Sequence, residues 1–108
     1  MKSLVIGGSG FIGRNTIDLL NKTGHYIVSY EIAEKDNYAN DHVIGNISDH
    51  NKLNASMKGI DYVFNLAAAT SPSHFKDIDS DSCEINIMRT YNLLKDAFKN
   101  YVKKVIPA

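Results

Sequence analysis

The chain has 108 residues, which is enough for one compact domain over 1–108 with a modest core. Its 12 basic and 12 acidic residues balance, which argues against nucleic acid or an anionic membrane as a partner held by bulk charge. The one cysteine, Cys83, excludes an internal disulfide and indicates a reducing compartment, so we expect a cytoplasmic protein.

Apolar runs of strand length alternate with stretches of helical period, which is typical of βαβ units around a parallel sheet. The predicted strands cover residues 3–6, 26–30, 42–45, 62–66 and 102–106. The predicted helices cover a stretch from about Phe11 to a glycine C-cap at Gly24, residues 50–57 closed by Gly59, and residues 81–100. Right-handed crossovers then predict a three-layer αβα fold with strand order 3-2-1-4-5.

Two of these helices carry apolar residues at helical spacing, which predicts the face that each packs on the sheet. The predicted faces are Ile12, Thr16, Leu19 and Leu20 in the first helix, and Ile87, Tyr91, Leu94 and Phe98 in the last. Tyr91 also forms a Tyr-x-x-x-Lys pattern with Lys95, a spacing that places both side chains on one helix face. Because two-residue patterns arise easily by chance, we interpret Tyr91 as a core residue.

Three glycines, Gly7, Gly10 and Gly13, follow the first predicted strand at three-residue spacing, and a helix begins at once. A turn of this kind holds a pyrophosphate only if the backbone comes close to the anion, which a Cβ would prevent. The helix that opens near Phe11 also directs unpaired backbone N–H groups and the positive end of its dipole at the same place. The turn is typical of a dinucleotide cradle.

An acidic residue stands where the sugar of such a dinucleotide is expected. Glu31 stands at the end of the second predicted strand, directly after residue 30 and eighteen residues after Gly13. Its carboxylate can accept hydrogen bonds from both hydroxyls of the adenosine ribose. Because an acid there repels a 2′-phosphate, NAD is predicted over NADP. Arg14 has two readings of equal weight: a bidentate contact with the pyrophosphate, or a place on the helix surface.

Four segments in this order resemble the extended short-chain dehydrogenase/reductase family, which includes NAD-dependent nucleotide-sugar epimerases and dehydratases. Residues 7–13 look like the family's GxxGxxG turn, and residues 45–49 look like its GD(I/L)xD segment. Residues 61–68 resemble its DxVFHLAA strand, and residues 86–94 resemble its NxxGTxNLL helix. The chain departs from these patterns at Asn46, Asn65 and Arg89, where an acid, a histidine and a glycine are usual.

The resemblance implies a Rossmann-type domain and a set of cofactor contacts: Gly7, Gly10, Phe11, Ile12, Gly13, Glu31, Asn46, Ile47, Leu66, Ala67, Ala68 and Asn86. Asn46 and Ile47 would flank the adenine ring, with the amide oxygen of Asn46 accepting from the adenine amino group. Ala67 and Ala68 would pass beside the cofactor, and Asn86 would contact it from beneath.

The resemblance further implies the NAD-binding domain of an epimerase, dehydratase or related oxidoreductase that acts on a hydroxyl or keto group of a sugar-like substrate. The family's catalytic Ser or Thr and Tyr-x-x-x-Lys pair would lie past Ala108, so we expect a piece of a longer enzyme and predict no catalytic or metal-binding residue here. A non-catalytic dinucleotide sensor is the alternative. An unpaired edge on the fifth strand predicts self-association, and hence a homo-oligomer.

Overall fold

The computed structural model describes residues 1–8, 10–34, 37–66 and 80–107, with side chains from Thr90 to Ile106 in the last range. In this part of the chain a parallel sheet has the order β3-β2-β1-β4-β5, which confirms the predicted fold. The strands are β1 (Lys2–Ile6), β2 (Tyr26–Glu31), β3 (Asp41–Ile44), β4 (Tyr62–Asn65) and β5 (Lys104–Pro107). The helices are α1 (Phe11–Lys22), α2 (His50–Ser56) and α3 (Ser80–Lys99).

Each face of the sheet carries its own core. Leu4 and Ile6 of β1 pack on the face that α2 and α3 cover, whereas Val5 packs with Ile17 of α1 on the other face. Successive side chains of a strand point to opposite faces, so a strand covered on both sides is apolar without interruption. This explains why β1 gives such a clear signal in the sequence.

The buried face of α1 differs from the predicted one. Gly13 and Ile17 are the buried residues of this helix, while Ile12 and Leu19, which were predicted to pack, are exposed. The helix turns toward the sheet through a glycine because the absence of a side chain allows the closest approach. A pattern of apolar side chains cannot register such a contact. The predicted face is therefore wrong at Ile12 and Leu19, whereas Leu20 packs against the core as predicted.

The predicted face of α3 is also wrong. Tyr91, Leu94 and Phe98 are 59%, 49% and 85% exposed, and Leu93 and Ala97 are the residues that pack in the core. The side chain of Ile87 lies outside the described residues. The buried face also holds Asp96, whose charge hides the apolar period.

Polar contacts hold α2 against α3. His50 Nδ1 lies 3.0 Å from Asp96 Oδ2, and the Asp96 side chain is almost completely buried. One helical turn further along, the Asn100 side chain donates to Asn54 Oδ1 over 2.7 Å. A buried carboxylate requires such a partner because an isolated charge is costly away from water.

Two glycines end helices as the sequence predicts. Gly24, after α1, has φ +79°, and Gly59, after α2, has φ +75°. Both values lie in the left-handed region, which favours glycine because other side chains are strained there. Across the described ranges, no helix combines the length and apolar character needed to cross a bilayer.

Candidate functional site

A cleft of about 330 Å³ opens at the carboxyl ends of β1, β2 and β3. Parallel strands end at the same edge of a sheet, so the strand order places Gly7, Glu31 and Gly45 in sequence along that edge. The edge is where ligands bind in open α/β sheets. The lining residues are Ile6, Gly7, Gly10, Tyr30, Glu31, Ile32, Gly45, Asn46, Ile47 and Leu66.

The cleft brings together half of the predicted cofactor contacts, which are Gly7, Gly10, Glu31, Asn46, Ile47 and Leu66. Phe11, Ile12 and Gly13 form the first turn of α1 beside it. Ala67 and Ala68 lie outside the described residues, and Asn86 falls in α3 where no side chain is described. The contact of each of these residues with a cofactor stays a prediction.

The glycine turn packs directly against the start of α1. An added Cβ at Gly13 would lie 2.3 Å from the carbonyl oxygen of Gly7 and 2.7 Å from the Cα of Gly8, closer than any real side chain could come. Gly7 has φ +83°, and its N–H donates to the carbonyl of Tyr30 over 2.9 Å. Position 13 therefore has room for a hydrogen atom only, because α1 packs here directly on the backbone of the turn.

The amino terminus of α1 offers N–H groups to the cleft. Gly10 is the N-cap, no side chain in the described part of the chain caps the helix, and its first turn holds no acidic residue. The first N–H groups of an uncapped helix need an acceptor, and the helix dipole makes an anion the favoured one. These features fit the diphosphate of a dinucleotide.

Glu31 lies where the ribose is expected. It ends β2 half-buried and lines the cleft, and its Oε1 accepts the N–H of Ile32 over 2.9 Å. No residue in the described ranges donates to Oε2. The arrangement orients the carboxylate while leaving one oxygen to accept a ligand hydroxyl.

Tyr30 and Gly45 line the end of the cleft near β3. Sequence reasoning noted Gly45 only as part of the segment 45–49 and assigned no site role to either residue. The hydroxyl of Tyr30 donates to the carbonyl of Asn46 over 2.8 Å, and burial raises the pKa of Tyr30 so that the hydroxyl stays protonated. Gly45 has no room for a side chain, because a Cβ there would lie 2.5 Å from Tyr30 Oη. The one signal in the sequence that could have indicated a role for Tyr30 is its place as an aromatic residue near the end of a buried strand.

Asn46 lies at the end of the cleft near β3. Its amide nitrogen, and not its amide oxygen as expected, is the atom available to a ligand. Its Oδ1 already accepts the backbone N–H of Ser48 over 3.0 Å and the Ser48 hydroxyl over 2.9 Å. In this structure Ser48 occupies that oxygen, and its expected contact with the adenine amino group stays a prediction. The amide nitrogen of Asn46 is the group left for a ligand.

One buried acceptor near the cleft has no partner among the described residues. Oδ1 of Asn65, the residue before Leu66, is inaccessible to solvent and accepts no hydrogen bond from any of them. Buried polar atoms are nearly always satisfied, so an orphaned acceptor here fits a donor supplied by a ligand. The turn, the helix end, the carboxylate and this atom together fit a dinucleotide.

Other side chains that the sequence singled out do not line the cleft. Tyr91 and Lys95 lie on α3, with the Tyr91 ring more than half exposed. Arg14 is exposed in α1, so its contact with a pyrophosphate stays a prediction.

The strand order and the glycine turn define a Rossmann-type dinucleotide-binding domain. The family model of the NAD dependent epimerase/dehydratase family matches residues 3–108. The chain belongs to this family, and its cofactor is NAD.

Individual relatives agree with this assignment. The structure of a UDP-glucose 4-epimerase from Thermotoga maritima is 28% identical with a TM-score of 0.84, and the chain matches it over 99% of its own length and 37% of the other. A UDP-glucose-4-epimerase from Stenotrophomonas maltophila, solved with bound NAD, is 25% identical with a TM-score of 0.83 over 99% and 36%. The mouse sterol-4-alpha-carboxylate 3-dehydrogenase is 27% identical over 97% of this chain and 28% of that protein. The chain thus spans about a quarter of the length of the curated relatives it matches.

Proposed function

We propose that this chain holds NAD for an oxidoreductase that moves a hydride between a hydroxyl-bearing, sugar-like substrate and the nicotinamide ring. The observation that carries the proposal is the single cleft that aligns the glycine turn, Glu31 and Asn46 along one edge of the sheet. A sugar-like substrate is supported by the two UDP-glucose 4-epimerases among the similar structures. The chemistry of hydride transfer comes from NAD itself when it is bound.

Each part of the cleft has a role in this proposal. The backbone at Gly7 and Gly10, with the first N–H groups of α1, binds the diphosphate, and Glu31 accepts the ribose hydroxyls. Asn46 and Ile47 contact the base. Leu66, together with the predicted contacts Ala67, Ala68 and Asn86, contacts the nicotinamide half of NAD.

The replacement Glu31→Arg tests the proposal. NAD affinity should fall about tenfold or more, because hydrogen bonds to a charged carboxylate contribute about 1.5–3 kcal/mol. NADP affinity should rise, because the guanidinium attracts the 2′-phosphate that the carboxylate repels. Calorimetric titration of both dinucleotides measures the two changes.

Glu34→Arg is the matched control, because Glu34 is exposed and does not line the cleft but changes the net charge equally. It should leave the ratio of the NAD and NADP affinities as in the wild type. Equal ratios in all three proteins would contradict the assignment of Glu31.

Self-association through β5 belongs to the same proposal. This strand pairs with β4 on one side and stands at the edge of the described sheet, and an open edge is a template for pairing with another chain. Sedimentation at rising concentration should show a dimer, and Phe98→Ser, which alters the exposed face of α3 but not β5, should leave it intact. A strictly monomeric species at high concentration would contradict this prediction.

The cytoplasm is the proposed compartment. Its support is the single cysteine, Cys83, which suits a reducing environment. Localisation of a tagged full-length protein measures this directly.

A further inference from the structure

The amide group of Asn46 has a fixed orientation. A backbone N–H can only donate, so the atom that faces the N–H of Ser48 at 3.0 Å must be the amide oxygen. The Ser48 hydroxyl donates to the same oxygen over 2.9 Å, which occupies both of its lone pairs. The Nδ2 hydrogens of Asn46 meet no acceptor within the described ranges, and this exposed side chain lines the cleft.

Asn46 stands at the base end of the cleft. Along the sheet edge the diphosphate cradle lies at β1, the ribose-binding Glu31 at the end of β2 and Asn46 just beyond β3. A dinucleotide that follows this order places its purine beside Asn46. This step rests on the proposed function.

We propose that Asn46 offers the purine a hydrogen-bond donor, so that the site does not select the 6-amino group of adenine. The Nδ2 hydrogens can be donated to an acceptor ring nitrogen of either purine. The 6-amino group of adenine is itself a donor and cannot pair with them, whereas the 6-oxo group of hypoxanthine is a further acceptor and can. A carboxylate at this position would instead accept a hydrogen bond from the 6-amino group of adenine and would find no donor in the 6-oxo group of hypoxanthine. The site therefore accepts a 6-oxopurine dinucleotide at least as well as NAD.

The replacement Asn46→Asp isolates this effect. Aspartate has the same shape, and its Oδ1 can still accept both hydrogen bonds from Ser48, so the turn is kept and only the donor becomes an acceptor. Wild type should bind nicotinamide hypoxanthine dinucleotide as tightly as NAD or tighter. In Asn46→Asp the ratio of the two affinities should shift about tenfold toward NAD, as expected for one hydrogen bond to a charged group.

Nitrogen-15 NMR titration with each dinucleotide gives both affinities and locates binding through the amide signals of Gly7 and Gly10. The side-chain NH₂ signals of Asn46 should shift when the hypoxanthine dinucleotide binds to wild type. Asn51→Asp is the control, because it adds the same charge nearby at an exposed position outside the cleft; it should keep the wild-type ratio.

Two outcomes would overturn the inference alone: a wild type that prefers NAD tenfold, or an unchanged ratio in Asn46→Asp while the glycine signals still report binding. If neither dinucleotide moves the glycine signals, the proposed function fails, and the inference fails with it.

Discussion

Gly13→Ala should lower the melting temperature by roughly 10–20 °C and abolish NAD binding. The new methyl group would lie 2.3 Å from the carbonyl oxygen of Gly7 and 2.7 Å from the Cα of Gly8. Neither atom can move without separating α1 from β1. Overpacking of this kind costs about 3 kcal/mol at the upper end of its usual range, which corresponds to that shift for a small domain. Thermal unfolding followed by circular dichroism measures the change in stability.

Gly10→Ala is the matched control within the same turn. Among the described residues, a Cβ at Gly10 would meet only one atom, the Gly7 carbonyl oxygen at 3.9 Å, so this variant should unfold within a few degrees of wild type. Its NAD affinity should still fall, because Gly10 lines the cleft and a side chain there keeps the diphosphate from the backbone. Equal melting temperatures for Gly13→Ala and wild type would disprove the packing of the turn on α1.

The sheet order could be predicted because most of the strands contain a short apolar run and each connection is long enough for a crossover. The helix faces could not, for two different reasons. In α1 the closest contact is made by Gly13, which has no side chain to count. In α3 the buried face contains Asp96, whose Oδ2 lies 3.0 Å from His50 Nδ1 of another helix. Both facts depend on the packed structure.

The candidate site likewise contains residues that could be predicted from the sequence and residues that could not. Gly7, Gly10 and Glu31 could be found because their spacing along the chain reflects the geometry of one turn and one strand. Tyr30 could not, because its hydroxyl bonds to a carbonyl sixteen residues away. The orientation of the Asn46 amide follows from Ser48 and needed atomic positions.

Gly45→Ala should destabilise the protein by about 1–3 kcal/mol, the usual cost of overpacking. The added Cβ would lie 2.5 Å from Tyr30 Oη, 2.8 Å from Tyr30 Cζ and 2.7 Å from Lys52 Cδ. Lys52 is exposed and can swing away, but the Tyr30 ring is 1% exposed and cannot. NAD affinity should fall as well, because displacement of the ring breaks its hydrogen bond to the carbonyl of Asn46. Denaturant unfolding and NAD titration measure the two effects.

A double-mutant cycle with Tyr30→Phe identifies the clash. Tyr30→Phe alone should cost about 1 kcal/mol for the lost hydrogen bond, but it also removes the atom nearest to the new Cβ. The double variant should therefore be at least about 1 kcal/mol more stable than the sum of the single effects predicts, whereas Lys52→Ala should restore little. Effects of Gly45→Ala and Tyr30→Phe that add within about 0.5 kcal/mol would show that the phenol does not confine Gly45, and that the base end of the cleft is held in another way.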